Sequence, residues 1–96
     1  MAAKTPYKLA NVEDMARRYP RTFEILPRGE RQRLWIGDRV KLIFNHAERM
    51  WVEVFAIETD PVSYLGRLLN VPVIVTVKQG DVVEFFPENV AAIERG

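Results

Sequence analysis

One stretch, residues 48–58 (Glu-Arg-Met-Trp-Val-Glu-Val-Phe-Ala-Ile-Glu), constrains the fold more than any other part of the 96-residue chain. Successive side chains of a β-strand face opposite sides, so this stretch predicts a strand with two largely apolar faces. Such a strand must be covered on both sides, or must offer one side to a partner. The first face would carry Met50, Val52, Val54 and Ala56, and the second would carry Trp51, Glu53, Phe55 and Ile57.

Upstream of this strand, apolar residues recur with helical spacing. Val12, Met15, Ala16 and Tyr19 predict a short amphipathic helix. Asn11 suits its N-cap, and Pro20 ends it. Because a helix this short is not stable alone, we expect its apolar side to pack on the second face of the central strand, over Trp51, Phe55 and Ile57.

The remaining segments are short, β-rich and separated by turn residues. Gly66 interrupts one of them, which is typical of a bulge or of a large aromatic side chain packed close to the backbone. The pattern predicts an α+β fold: a curled antiparallel sheet or small SH3-like β-barrel of about five strands, with an N-terminal helical segment. The expected strands are 39–44, 48–58, 62–69, 81–86 and 90–93, with a further short extended run at 73–77.

The length fits one domain, residues 1–96. We expect a loose N-terminus at 1–9, a helical lead at 10–34 and a barrel-like body at 35–96. The sequence shows neither the apolar run of a signal peptide nor a segment able to span a bilayer, so we expect a cytoplasmic protein without membrane contact. The absence of cysteine is compatible with that compartment. A monomer or weak dimer is expected.

No constellation of catalytic residues is visible, so the sequence does not indicate an enzyme, a metal site or a cofactor. His46 is the only histidine and Ser63 the only serine, and neither lies in a nucleophile motif. Glu48 and Glu58 would lie about 33 Å apart at opposite ends of an extended strand, too far to act as an acid and base pair.

Several pieces of the chain form a recognisable pattern in their order and spacing: Leu34, 37–38, 40–44, 48–54, 66–70, Pro72, 80–83 and 87–90. Together they resemble a family of small bacterial domains of unknown function, the family numbered 2314. The resemblance covers residues 20–94, about three quarters of the chain, and implies a bacterial protein with no known chemistry. It supplies no catalytic residue, and the usual Asn-Asp-Pro of the family is here Asn70-Val71-Pro72.

Plentiful aromatic residues without a catalytic constellation favour a non-catalytic binding or accessory module that recognises a protein partner. We expect its binding surface at a groove or edge near Trp35, Tyr64 and the Asn70 corner.

The alternative is weak nucleic-acid binding through an arginine-rich lead. Residues 1–33 hold eight Lys and Arg against four Asp and Glu, although the whole chain has a net charge of only +1. The interspersed acids, among them Glu13 and Asp14, weaken the positive field. The arginines that would contact phosphates are Arg17, Arg18, Arg21, Arg28, Arg31 and Arg33.

Overall fold

A computed structural model of the protein describes residues 6–96 and shows a small α+β fold built on one antiparallel sheet. Two short helices precede the strands, and a 3₁₀ turn at Pro87–Asn89 precedes the last one. The helices are α1 (Val12–Arg18) and α2 (Arg28–Arg31), and the strands are β1 (Arg39–Phe44), β2 (Glu48–Glu58), β3 (Ser63–Leu68), β4 (Val82–Phe85) and β5 (Ala92–Glu94).

The five strands lie in the order β4-β3-β2-β1-β5, and every neighbouring pair is antiparallel. Within residues 6–96 the edge strands β4 and β5 do not pair with each other, so the curled sheet stays open. The predicted five-strand curled sheet is confirmed, and its alternative, a closed SH3-like barrel, does not form. The segment 73–77, expected to be extended, is an irregular loop.

A β-bulge in β2 decides which side chains enter the core. Val54 lies opposite Gly66 and Ala56 lies opposite Leu65, so Phe55 is an extra residue without a partner on β3. After the bulge the odd-numbered residues point to the face that the even-numbered ones occupied before it. Ile57 therefore packs against the core, opposite Tyr64. The prediction that Ile57 shares a face with Trp51 is therefore wrong, because simple alternation ignores the inserted residue.

The core lies on the concave side of the sheet and is a single cluster. Alternate residues of β1 and β4 point into it, and Val40, Leu42, Val83 and Phe85 are all fully buried. Other buried members come from the end of β1, from β2 and β3, and from the connecting segments: Phe44, Met50, Val52, Val54, Tyr64, Leu68, Leu34, Val75 and Val90.

Helix α1 forms as predicted but packs elsewhere. Asn11 caps it, with its side-chain oxygen accepting hydrogen bonds from the backbone N–H of Glu13 and Asp14 at 2.9 and 3.1 Å. The helix lies against the 3₁₀ turn, where Asn89 Nδ2 donates to the Ala10 carbonyl at 3.1 Å. The expected docking over the Trp51 face is wrong, because the polar contact at Asn89 fixes the start of the helix against the 3₁₀ turn instead.

Residues 7–10 are better ordered than the predicted loose end. Leu9 forms a bridge with Phe44, and the Tyr7 ring meets the Phe44 ring at a centroid distance of 5.0 Å. Lys8 exchanges hydrogen bonds with Asn45. The segment thus extends the pairing along β1, and the rest of the predicted loose end, residues 1–5, lies outside the described residues.

No helix within residues 6–96 has both the length and the apolar character needed to cross a membrane.

Gly66 provides a test of the sheet geometry. A Cβ at this position would lie 3.1 Å from both the Glu53 carbonyl oxygen and Val52 Cγ2. The close neighbour is thus the β2 backbone with a valine, not the large aromatic side chain that the sequence suggested. Because a carbonyl in the sheet ladder cannot move freely, we expect Gly66→Ala to lower the free energy of unfolding by about 1 to 3 kcal/mol.

The measurement is urea unfolding followed by circular dichroism. Gly29→Ala is the matched control, since a Cβ there meets nothing within 4 Å and alanine favours the α2 helix. A Gly66→Ala variant as stable as the wild type would contradict the tight packing of β3 on β2.

Candidate functional site

The three residues predicted to line a partner-binding groove do not form one surface. Tyr64 is only 1% exposed, and its hydroxyl donates a hydrogen bond to the Arg31 carbonyl at 2.9 Å. A side chain this buried contacts the core and not a partner. Trp35 is 71% exposed, whereas the Asn70 side chain accepts a hydrogen bond from the Trp51 N–H at 2.6 Å.

Trp35 is displayed at the end of the sheet by a buried carboxylate. Asp38 accepts hydrogen bonds from the backbone N–H groups of Trp35 at 2.8 Å and Gly96 at 3.1 Å, and pairs with Arg95 at 2.9 Å. Burial alone would raise the pKa of Asp38, but these hydrogen bonds and the Arg95 charge outweigh it and lower that pKa. The Asp38 carboxylate therefore fixes the backbone of Trp35 while the indole stays in solvent.

The larger exposed apolar feature is the loop that follows β3, residues 69–74, which we call the apolar loop. Its Val71, Val73 and Ile74 are 70%, 90% and 60% exposed, and Leu69 is also exposed. Single apolar side chains are common on protein surfaces, but several in one continuous segment typically mark an interaction site.

Glu48, at the start of β2, holds the backbone of the apolar loop. Its carboxylate accepts hydrogen bonds from the N–H groups of Val73 at 2.6 Å, Ile74 at 2.8 Å and Val75 at 3.1 Å. The bond from Val73 is the main cause that lowers the pKa of Glu48, and the bonds from Ile74 and Val75 add to it. Three successive backbone groups are thus tied to one charged side chain.

The two ends of the apolar loop are also fixed. At one end, Leu69 donates its N–H to the Trp51 carbonyl at 2.9 Å and accepts a hydrogen bond from Gln79 Nε2 at 2.7 Å. At the other end, Val75 is buried in the core. The backbone is therefore anchored on β2 and the core, while the side chains between the anchors face solvent.

The outer face of the sheet differs from the apolar loop because its aromatic rings are covered by cations of the same chain. Arg67 lies over the Phe55 ring at 4.7 Å, and Lys41 lies over the Trp51 ring at 5.1 Å. Trp51 is half-buried and Phe55 is 37% exposed. Since Val73 is 90% exposed, the apolar loop is the stronger candidate for partner contact.

The six arginines of the predicted nucleic-acid surface have different environments. Arg31 is buried and bonds to the Leu26 and Pro87 carbonyls and to Glu13, so its role is structural. Arg28 also pairs with Glu13, and Arg17 pairs with Asp14. Arg18, Arg21 and Arg33 are exposed. Nucleic-acid binding stays a prediction, and three of the six arginines proposed for it already pair with carboxylates of the protein itself.

The described part of the chain contains no cluster of side chains able to bind a metal ion. Within residues 6–96, no three His, Cys, Asp or Glu side chains converge. His46 lies exposed in the turn between β1 and β2, with a positive φ of 55°.

The sequence predicted a binding corner at Asn70, which lies in the apolar loop, but it did not predict the exposure of the apolar residues that follow. The signal was the run Val71-Pro72-Val73-Ile74-Val75, in which apolar residues follow a proline without the polar alternation of a half-buried strand. That run predicts an extended segment. Its side chains are exposed because Glu48 anchors its backbone outside the sheet, which the sequence pattern does not show.

Comparison with known proteins adds no relative. No protein-family model, no curated protein and no solved structure matches the chain. The functional argument therefore depends on the geometry of this molecule.

The anchoring of the apolar loop by Glu48 predicts a pH-dependent signal. The pKa of Glu48 in the folded protein lies below the ordinary pKa of glutamate. At any pH above that ordinary pKa the carboxylate is ionised and orders the loop, and the order is lost as pH falls through the lowered pKa. We expect the amide proton shifts of Val73, Ile74 and Val75 to titrate together, with a midpoint below that of an unperturbed glutamate.

NMR titration of the wild type, Glu48→Gln and Glu58→Gln measures this effect. Glu48→Gln should abolish the shared titration and speed hydrogen exchange at the three amides. Glu58→Gln, at the exposed other end of β2, should change neither. Amide shifts that do not respond to pH in the wild type would show that Glu48 does not hold the loop.

Proposed function

We propose that this protein is a non-catalytic binding module that recognises a protein partner through the apolar loop, residues 69–74. The observation that carries the proposal is the exposure of Val71, Val73 and Ile74 on a backbone that Glu48 holds in place. The partner would supply an apolar pocket for these side chains.

Pre-organisation makes such a loop effective in binding. A flexible segment loses conformational freedom when it docks, and this loss weakens the complex. Here the hydrogen bonds that the Glu48 and Asn70 side-chain oxygens accept, with burial of Val75, already restrict the backbone before any partner arrives. β-Branched side chains such as Val73 and Ile74 also have few rotamers to lose.

The proposal predicts a specific protein neighbour at the apolar loop. A photo-crosslinking amino acid is placed at Val73 in cells of the source organism, and in the control it replaces Glu58. We expect a discrete protein adduct from position 73 and none from position 58. Adducts to lipid only, or the same adducts from both positions, would contradict recognition of a protein by the loop.

The partner that the crosslink identifies is then purified, and its affinity for this protein is measured by isothermal titration calorimetry. Burying one valine or isoleucine side chain contributes about 1.5 to 3 kcal/mol, and 1.4 kcal/mol is a factor of ten. We therefore expect the double variant Val73→Ser, Ile74→Ser to bind at least tenfold more weakly. Tyr19→Ser, which removes an exposed apolar side chain from the end of α1, should bind like the wild type. Equal affinity of the double variant would refute the role of the loop.

A further inference from the structure

The edge strand β4 presents hydrogen-bonding groups away from the sheet. Leu68 N donates to the Asp81 carbonyl at 2.9 Å, and the register places Val83 opposite Gly66 and Phe85 opposite Tyr64. In an antiparallel ladder, alternate residues direct both backbone groups to the same neighbour. Val82 and Glu84 therefore point their N–H and C=O groups away from β3.

Within residues 6–96 these outward groups have no partner. No hydrogen bond from the backbone or a side chain of that part of the chain reaches the N–H or C=O of Val82 or Glu84 outside the β3–β4 ladder. At the end of the strand the pattern changes, because Phe86 N–H donates to Asn89 Oδ1 at 2.9 Å. An extended segment placed beside β4 could thus form up to four backbone hydrogen bonds with Val82 and Glu84.

A groove of about 730 Å³ lies along this strand, and we call it the β4 groove. One part of its lining is apolar and continues the core, since Tyr7, Leu9 and Val77 pack against the core cluster. Two carboxylates, Asp81 and Glu84, also line it, and the described lining contains no basic side chain. Within residues 6–96 neither carboxylate forms an ion pair.

The acidic lining acts on a neighbouring group, Tyr7. Burial raises the pKa of Tyr7, and the negative charges of Asp81 and Glu84 raise it further. The groove therefore has a negative potential at the position of the tyrosine ring, which favours a cationic occupant.

This charge also argues against a second copy of the chain at the edge. Antiparallel pairing of β4 with β4 of another copy would place two Glu84 side chains on the same face of one short ladder, where like charges destabilise the pairing. A segment with basic side chains would instead place its cations opposite Glu84.

We propose that β4 and its groove accept an extended, basic segment of a protein partner, which adds to the sheet as a sixth strand. Its alternate side chains divide between two environments. Lysine or arginine on the convex side faces Glu84, and apolar residues on the other side meet Tyr7, Leu9 and Val77. The surface is separate from the apolar loop, and the inference rests on the proposed function only in that the occupant is a protein segment.

The test uses fluorescein-labelled six-residue peptides and the full chain, with binding followed by fluorescence anisotropy. A peptide of alternating lysine and valine should bind at least tenfold more tightly than its counterpart with glutamate in place of lysine, and added salt should weaken it. NMR shifts should be largest at the amides of Val82 and Glu84. Equal affinities for the two peptides, no binding of either, or shifts confined to residues 69–74 would overturn the proposal.

Backbone methylation of the peptide tests strand addition without altering the protein. Successive residues of an added strand point their N–H groups in opposite directions. One of two peptides, N-methylated either on all lysines or on all valines, should therefore lose binding while the other keeps it. If the peptide methylated on its lysines loses binding, the added strand is antiparallel to β4. If the peptide methylated on its valines loses binding, the added strand is parallel to β4. Equal behaviour of both methylated peptides would refute pairing with β4.

Two variants of the protein complete the test. Val82→Pro removes an outward N–H without removing a hydrogen bond to β3, a position where edge strands tolerate proline. This variant should bind the lysine peptide at least fivefold more weakly than the wild type does. Glu84→Lys should reverse the preference between the lysine and glutamate peptides, which a folding defect would not do. Unchanged preference in Glu84→Lys would overturn the charge argument.

The two proposals fail separately. Val73→Ser with Ile74→Ser should leave peptide binding unchanged, and Glu84→Lys should leave the crosslink from position 73 unchanged. Loss of peptide binding in the loop double variant would count against a distinct β4 site.

Discussion

The central strand β2 and its bulge at Phe55 are the constraint on which the rest of the structure depends. β2 pairs with β1 on one side and β3 on the other, so it fixes the register of both. The inserted residue reverses the parity of the strand and brings Ile57 inward beside Tyr64. Bulges increase local twist and bend a strand, and the sheet here is curled enough to surround one core without closing.

The two proposed binding surfaces both result from the way β3 connects to β4. The connection is long, leaves the sheet after Leu68 and passes Glu48 before it returns at Val82. Its first part displays the apolar loop, and its last part, with Val77 and Asp81, lines the β4 groove. Because β4 is the edge of an open sheet, the same connection that exposes valines also leaves a strand available for pairing.

Carboxylates bound to backbone N–H groups hold the exposed segments in place. Glu48 binds the apolar loop, and Asp38 binds the backbone N–H groups of Trp35 and Gly96. Hydrogen bonds to a charged acceptor are stronger than those between neutral groups. In each case apolar side chains remain in solvent while the backbone beneath them is fixed, which is the arrangement expected of a pre-organised binding surface.

The sequence by itself determined the local elements. Apolar alternation located β1, β2 and β4, the cap at Asn11 and the helical spacing located α1, and turn residues separated the strands. It also predicted a binding corner at Asn70, the second residue of the apolar loop, and this role stays a prediction. These features depend on neighbours close in the chain, whose periodicity and backbone preferences can be counted from the sequence.

Only the tertiary structure decided the side on which each element packs and the surfaces left exposed. The bulge moved Ile57, the contact of Asn89 with Ala10 placed α1 away from Trp51, and burial removed Tyr64 from the predicted binding surface. The bonds between Glu48 and Val73 and the outward backbone groups of β4 likewise join or expose residues far apart in the sequence. Such contacts depend on strand order and register, and local periodicity carries no information about either.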